Sequence, residues 1–448
     1  MIPKFNIEVW QWLLIIASGL LMLLLSPKAQ NAAQFFRAST KKGGEPRLWL
    51  LTSSLVISWI FAKSITNAAN LGLKYGIVGG VAYATYYLSF LFAGIIIYQL
   101  REKGGFHSIH NFLQTQFGRS AVVIFSGLIA FRLFNEVWSN AMVIGSYFGE
   151  VSSGPYYAAI FVFTFLTLLY SLKGGLSSSL FTDAIQMVLF GVLLFVILGL
   201  LVPKSEGMQA LITSGSWKLT HGVDLLLVAL IQAISYPFHD PVMTDRGFIT
   251  DAKTMVRAFA IAVPIGFLTI VLFSLIGVFA AQQGLSGQAA VSVANTLGVG
   301  AMLLMNFIMI TSASSTLDSA FSSFSKLIVV DLRLGKMHLS NGRLTMFAVT
   351  LLGITPVFFG PEILDATTIS GTMVIGLAPV FLLWKFRGGR YRFHASVITG
   401  ICFGIWFASG HYPKSWSFVQ SDYGALLSAN TFGTIGCFVM YFVGSLIR

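Results

Sequence analysis

Thr311–Asp331 reads T-S-A-S-S-T-L-D-S-A-F-S-S-F-S-K-L-I-V-V-D. An apolar run, Ala301 to Ile310, leads into it, and its own end is apolar until the closing charge. The flanks are therefore hydrophobic enough for a membrane span. The middle carries nine hydroxyls (Thr311, Ser312, Ser314, Ser315, Thr316, Ser319, Ser322, Ser323, Ser325) and the carboxylate of Asp318. A hydroxyl costs little in a helix because it can bond back to its own backbone. A carboxylate in mid-span is expensive and marks a functional position. An oxygen-only donor set of this kind suits a hard monovalent cation.

The rest of the chain has the composition of a membrane protein. Of 448 residues, 56% are hydrophobic and 10% charged, and the mean hydropathy is +0.80. A soluble domain carries about 25% charged residues. The net charge of +12 reads as cytoplasmic loops obeying the positive-inside rule, with the lipid bilayer as partner and no nucleic acid. Cys402 and Cys437 lie in apolar runs and read as buried thiols. The first segment lacks a basic n-region and a small-residue cleavage site, so it reads as a retained span.

About 20 apolar residues cross a bilayer, and on that rule the sequence predicts thirteen spans. A leading helix runs from Glu8 to Ser26, within a segment 1–26. Core helices one to five are Leu48 to Leu73, Ile77 to Leu100, Ala121 to Tyr147, Tyr156 to Leu172 and Leu180 to Val202. Core helices six to ten are Val223 to Met243, Thr254 to Ala281, Ala289 to Asp331, Arg343 to Phe359 and Thr367 to Phe386. Two trailing spans, Phe393 to Ala408 and Ala425 to Ile447, fill 393–447. Helix eight is too long for one straight span.

The base-rich loops alternate along this map. Lys28, Arg37, Lys41, Lys42 and Arg47 follow the first span, Arg101, Lys103 and Arg119 follow helix two, and Lys385, Arg387, Arg390 and Arg392 follow helix ten. This asymmetry predicts a multi-pass protein of the cell membrane with its N terminus outside and its C terminus cytoplasmic.

Two spans are interrupted by polar residues or proline. Helix one carries Lys63, Thr66, Asn67 and Asn70 in its second half, and helix six reads I-Q-A-I-S-Y-P-F-H-D-P. Pro237 and Pro241 remove backbone donors and break helix six. Irregular backbone at membrane depth is tolerated where it lines a cavity, and paired interruptions in two halves of a chain mark a transporter binding site. Helices one and six stand five spans apart, as a five-plus-five inverted repeat (48–202 and 223–386) requires. Among the buried charges, Arg132 and Glu136 are four apart on helix three and can pair. Alternatively Glu136 answers Lys63 across the bundle and frees Arg132 for a solute carboxylate. Asp183 opens helix five, where the helix dipole would stabilise it. His107 and His110, three apart in a cytoplasmic loop, read as solvated residues and not as metal ligands. No nucleophile–base set or zinc-ligand spacing points to an enzyme.

Several segments resemble the solute:sodium symporter family, in order along the chain. They are Phe35-Phe36-Arg37, Phe106 to Gly118 (F-H-S-I-H-N-F-L-Q-T-Q-F-G), Gly174 to Gln186 (G-G-L-S-S-S-L-F-T-D-A-I-Q), Asp240 to Arg246, and Ser314 to Ser319 (S-S-T-L-D-S). The resemblance implies an all-α leucine-transporter-like fold and sodium-coupled symport of a small polar solute, with no cofactor beyond Na+. It implies a sodium site at Ile57, Ile60, Ser312, Ser315 and Thr316. It also implies a second cation or proton site at Asp183, Ser315, Asp318 and Ser319. Asp318 stands where such members have a serine. Solute contacts are expected from Asn67, Asn70, Tyr83, Tyr87, Arg132, Gln232, Tyr236 and Ser370. Lys63 departs from the family pattern. It reads as a built-in cation surrogate, as a proton carrier, or as a ligand for an anionic solute. A membrane sensor acting through a separate partner is the reading from another class.

Overall fold

The computed structural model describes residues 7–38 and 45–447, the side chains of residues 365 and 366 aside, so Lys41 and Lys42 lie outside the described residues. Among the described residues the regular secondary structure is all helix, joined by turns and loops. A helix satisfies its own backbone hydrogen bonds, which is what a chain this apolar needs in lipid. Among the described residues, nine helices are long and apolar enough to cross a membrane, and helix one makes a tenth if its bent halves form one span. The three other expected spans fall outside that set. Core helix six is broken into Asp224–Ala233, Tyr236–His239 and Pro241–Arg246, and helix ten into Asp365–Met373 and Leu377–Leu382. The first trailing helix is Tyr391–Ala408.

Helix five is longer than the sequence suggested. It runs from Leu176 to Leu201, starting where Gly175 turns the chain at a φ of +57°. Asp183 therefore sits about two turns inside the helix, fully buried, and dipole stabilisation at a helix start does not explain it. Helix eight resolves its excess length by dividing. Ala289–Leu297 lies before it and Val299–Lys326 is the span proper. The joint is Gly298 at a φ of +99°, a conformation open to glycine and costly for other residues. The same arrangement recurs earlier. Ile109–Phe117 is followed by Gly118, at a φ of +86°, and by helix three, Arg119–Gly145. Two nine-residue helices, each closed by a positive-φ glycine, thus lead into spans of 27 and 28 residues.

Helix four (Gly154–Gly174) receives the leading helix (Ile7–Leu25) on its outer side. Helix one packs on helix seven (Ala252–Gln282) and helix five, and helix eight packs on helices three, four and five. The polar stretch of helix eight is thus enclosed, with Thr311 to Ser319 all buried. The trailing helices, Tyr391–Ala408 and Gly424–Leu446, pair with each other. Cys437 is buried there, whereas Cys402 is exposed on the outer surface of its helix. The apolar run that suggested burial of Cys402 instead matches a surface facing lipid.

Candidate functional site

Helix one is formed by Leu48–Trp59 and Ala62–Tyr75, bent by 55° at Ile60 and Phe61. Ile60 leaves the helix at a ψ of 70° and Phe61 is extended at a ψ of 147°. Two residues out of helical register free backbone groups that must find partners. The Ile60 carbonyl accepts a hydrogen bond from Ser312 Oγ of helix eight. Thr316 Oγ1 donates to the Ser312 carbonyl at 3.2 Å, and Ile57 is fully buried one turn before the break. Ser315 turns the other way and donates to Asp183 Oδ1 at 2.6 Å. Of the residues expected for sodium, Ile60 and Ser312 are brought into direct contact across the two helices, whereas Thr316 bonds within helix eight and Ser315 is engaged by Asp183.

Opposite this break lies that of helix six. The 3-10 turn Tyr236–His239 ends at Asp240, whose Oδ1 caps the next helix by accepting from the Val242 amide at 2.8 Å. Asp240 Oδ2 accepts from Trp59 Nε1 and from Arg132 Nη2, both at 2.8 Å. Arg132 also pairs with Glu136. Glu136 Oε1 lies 2.8 Å from Lys63 Nζ, and its Oε2 accepts from Asn140 Nδ2 at 3.0 Å. Arg132 stands 5.2 Å from the Phe61 ring and 4.8 Å from that of Tyr236. Helix three thus ties the two breaks together through four charges.

This arrangement corrects one expectation and sharpens another. Glu136 does answer Lys63, but it does not release Arg132, which keeps Glu136 and gains Asp240. Lys63 is directed at helix three and not at the hydroxyls of helix eight. Of the expected solute contacts, Arg132, Tyr236, Tyr87, Tyr83 and Asn67 lie around the breaks. Tyr87 donates to the Trp59 carbonyl at 2.6 Å, and Asn67 to Tyr83 Oη at 3.3 Å. Asn70 is spent elsewhere, accepting from the Ala289 amide at 2.9 Å. Gln232 accepts from Tyr86 Oη at 2.8 Å and donates to Asn430 Oδ1 at 2.9 Å, toward the last trailing helix. Ser370 Oγ donates to the Thr367 carbonyl at 3.1 Å.

A second cluster fills the place expected for another cation. Ser179 and Thr182 of helix five donate to Asp318 at 2.8 and 2.9 Å. Arg246, which lies beyond the expected end of helix six at Met243, is fully buried here. Its Nε donates to Ser54 at 2.6 Å, and its Nη2 to Ser319 at 2.8 Å and to Asp183 Oδ2 at 3.3 Å. Ser54 and Ser58 of helix one also donate to Asp183. The signals for these residues were faint. Ser54 and Ser58 share a helix face at i and i+4, and Arg246 closes the motif that begins at Asp240. Trp59, His239 and Asn140 carried no separate pattern.

Next to Arg246, Thr244 and Asp245 form part of the wall of a cavity of about 810 Å³ that is also lined by Arg37, Arg119 and Arg333. It opens on the face of the basic loops. Lys326 Nζ lies 2.5 Å from Asp245 and 3.2 Å from Asp331. His110 lies 3.8 Å from Asp331 with 13% of its side chain exposed, so it is packed and not solvated. Burial pushes its imidazole below the usual histidine range, against the opposing pull of Asp331. Among the described residues, no group of three or more His, Cys, Asp or Glu side chains is placed to hold a metal.

The model of the sodium:solute symporter family matches residues 43–216. The urea-proton symporter DUR3 of Oryza sativa subsp. japonica is 25% identical over 183 residues, 40% of this chain and 24% of that protein. Sodium/glucose cotransporter 1 of Ovis aries is 24% identical over 167 residues, 37% of this chain and 25% of its own. The matched stretch thus spans about a quarter of these relatives. The structure of a Na+-coupled sialic acid symporter, bound to substrate and open outward, superposes with a TM-score of 0.70. It is 16% identical and covers 98% of both chains. The fold is that of the leucine-transporter class.

Proposed function

From a chain that resembles the sodium:solute symporters in sequence and shares the fold of one of their solved structures, we propose a secondary active transporter. It takes up a small polar solute by alternating access, with sodium as the coupling ion. The observation that carries this reading is the Ile60 carbonyl. A broken helix one presents it to Ser312 of helix eight, one turn before Thr316 and across from a broken helix six. Sodium would be held by the carbonyls of Ile57 and Ile60 and the hydroxyls of Ser312, Ser315 and Thr316. The solute would sit near the bilayer midplane between the breaks. The two glycine-closed short helices support an inverted repeat over 48–202 and 223–386. The arginines that line the cavity, Arg37, Arg119 and Arg333, support a cytoplasmic C terminus. Relatives named for urea and for glucose agree with a small polar solute.

A second reading concerns the ion. Asp183 and Asp318 bring two negative charges into the bundle, and Arg246 brings one positive charge. One further monovalent cation balances the cluster, and a proton serves as well as sodium. This favours Arg246 as the internal cation over Lys63, whose partner is Glu136. Proteoliposome uptake with and without an inward sodium gradient tests the ion. Sodium-stimulated uptake is expected. Equal uptake in both conditions refutes sodium coupling and leaves the proton.

A further inference from the structure

The space between the two breaks is electrically closed. Lys63 and Arg132 bring two positive charges and Glu136 and Asp240 two negative ones, all buried. The Lys63–Glu136 and Arg132–Asp240 pairs are each 2.8 Å long, and Arg132 bridges them by also pairing with Glu136. The Arg246 cluster lies apart, toward the basic face. The four resident charges leave no partner of their own for a solute with a net charge. An unmatched charge in the membrane interior is costly, and the resident groups are already mutually satisfied.

Polar atoms beside these pairs still lack partners among the described residues. They are Arg132 Nε, Tyr236 Oη and His239 Nε2. All three side chains are at most 2% exposed. The three side chains are neighbours, because the Tyr236 ring lies 4.8 Å from the His239 ring and 4.8 Å from the Arg132 guanidinium. His239 Nδ1 is 2.6 Å from the Tyr236 carbonyl. That oxygen can only accept, so Nδ1 carries the proton and Nε2 is left as an acceptor. Arg132 Nε can only donate, and Tyr236 Oη can do either. Buried polar atoms without partners are rare and each needs an explanation. Three of them around one charge-balanced pair set describe the complement of a ligand.

We infer that the solute bound between the breaks carries no net charge and offers at least one hydrogen-bond donor, for His239 Nε2, and one acceptor, for Arg132 Nε or Tyr236 Oη. This rests on the transporter reading and narrows its solute class. Small amides such as urea, polyols and sugars meet the requirement. Simple carboxylates and amines do not.

Thermal unfolding of the purified chain in micelles, at constant ionic strength, tests the class. The probes are urea, glycerol and glucose against acetate, lactate and ethanolamine. A ligand that prefers the folded state raises the midpoint. At least one uncharged probe should raise it, and the charged probes should not. His239→Leu should weaken the apparent affinity for that probe about tenfold, as expected for one lost hydrogen bond. His239→Gln keeps an acceptor and should retain most of the affinity. If His239→Leu does not fold, Tyr236→Phe removes a single oxygen and should also weaken the response. The inference is overturned if no uncharged probe shifts the midpoint, if only charged probes do, or if the response survives the variant unchanged. Uptake of a charged solute by proteoliposomes overturns the class and leaves transport standing. Binding of an uncharged probe without any uptake does the reverse.

Discussion

Replacing Glu136 by glutamine removes the carboxylate that Lys63 and Arg132 share. Both cations remain fully buried, with Asp240 alone to answer them. At an effective dielectric constant of about 20, unit charges separated by the observed 2.8 Å attract by about 6 kcal/mol. Much of that attraction offsets the desolvation of the two ions. Removing one partner of a buried pair therefore costs about 3–5 kcal/mol. Lys63→Met should cost less, about 1–3 kcal/mol, because Glu136 keeps Arg132. The double variant leaves Arg132 with Asp240, one charge against one. Its cost should fall below the sum of the single costs by about 2–3 kcal/mol. Unfolding of the four proteins in mixed micelles, followed by tryptophan fluorescence, measures this cycle. Additive costs would refute the shared-charge reasoning. So would a Glu136→Gln variant within about 0.5 kcal/mol of the parent, the range of an ordinary surface change.

Two further perturbations act elsewhere. Asp318→Asn removes the surplus negative charge beside Asp183 and Arg246. The ion dependence of the unfolding midpoint should shrink while the midpoint without added ion stays level or rises, and a stronger ion response in this variant would count against the charge balance. Outside the membrane, Lys74 Nζ lies 2.7 Å from Asp422. Hydrogen bonds from Lys74 and Tyr75 hold the Asp422 carboxyl below the usual carboxylate range. Its folded pKa is depressed, so the pair's contribution is present at neutral pH and is lost as pH falls through that value. With both side chains about half exposed, screening limits the contribution to about 0.5 kcal/mol or less. Lys74→Met should lower the unfolding midpoint slightly at pH 7, with the difference vanishing in acid. A difference that grows on acidification would contradict it.

The long spans were legible because hydropathy over about 20 residues reports burial in lipid directly. The breaks were legible for a different reason. Pro237 and Pro241 cannot continue a helix whatever surrounds them, and polar residues in helix one mark where its span is unusual. Its actual break falls at Ile60 and Phe61, two apolar residues, because it is set by the helix packed opposite and not by their own preference. The partnerships were the least legible. Arg246 reads as a loop base by its place in the chain, and only the return of helix six through Tyr236–His239 brings it under Ser54 and Ser319. Helix five begins before Leu180 because Gly175 turns the chain there, which moved Asp183 from a helix start to a helix interior.

These partnerships also bear on how such a fold would move. Helices one and six meet helices three, five and eight through a short set of polar links. Lys63 and Asp240 reach helix three, and the Ile60 carbonyl reaches helix eight. Ser54, Ser58 and Arg246 reach helix five, and Arg246 also reaches Ser319. At the basic face, Lys326 of helix eight reaches Asp245 of helix six. Rocking of helices one and six would have to exchange some of these links, because none can be left unpaired in the membrane without a large penalty. A cation at Ile60, Ser312 and Thr316 would stabilise the arrangement in which helix one approaches helix eight. A solute between the breaks would stabilise the one in which helix six approaches helix one. Each ligand would therefore favour the geometry the other binds, which is the thermodynamic requirement for symport. The Lys326–Asp245 pair lies outside both sites. It lines the cavity on the basic face, so in the proposed transport cycle it would act on movement at that face without contacting either ligand.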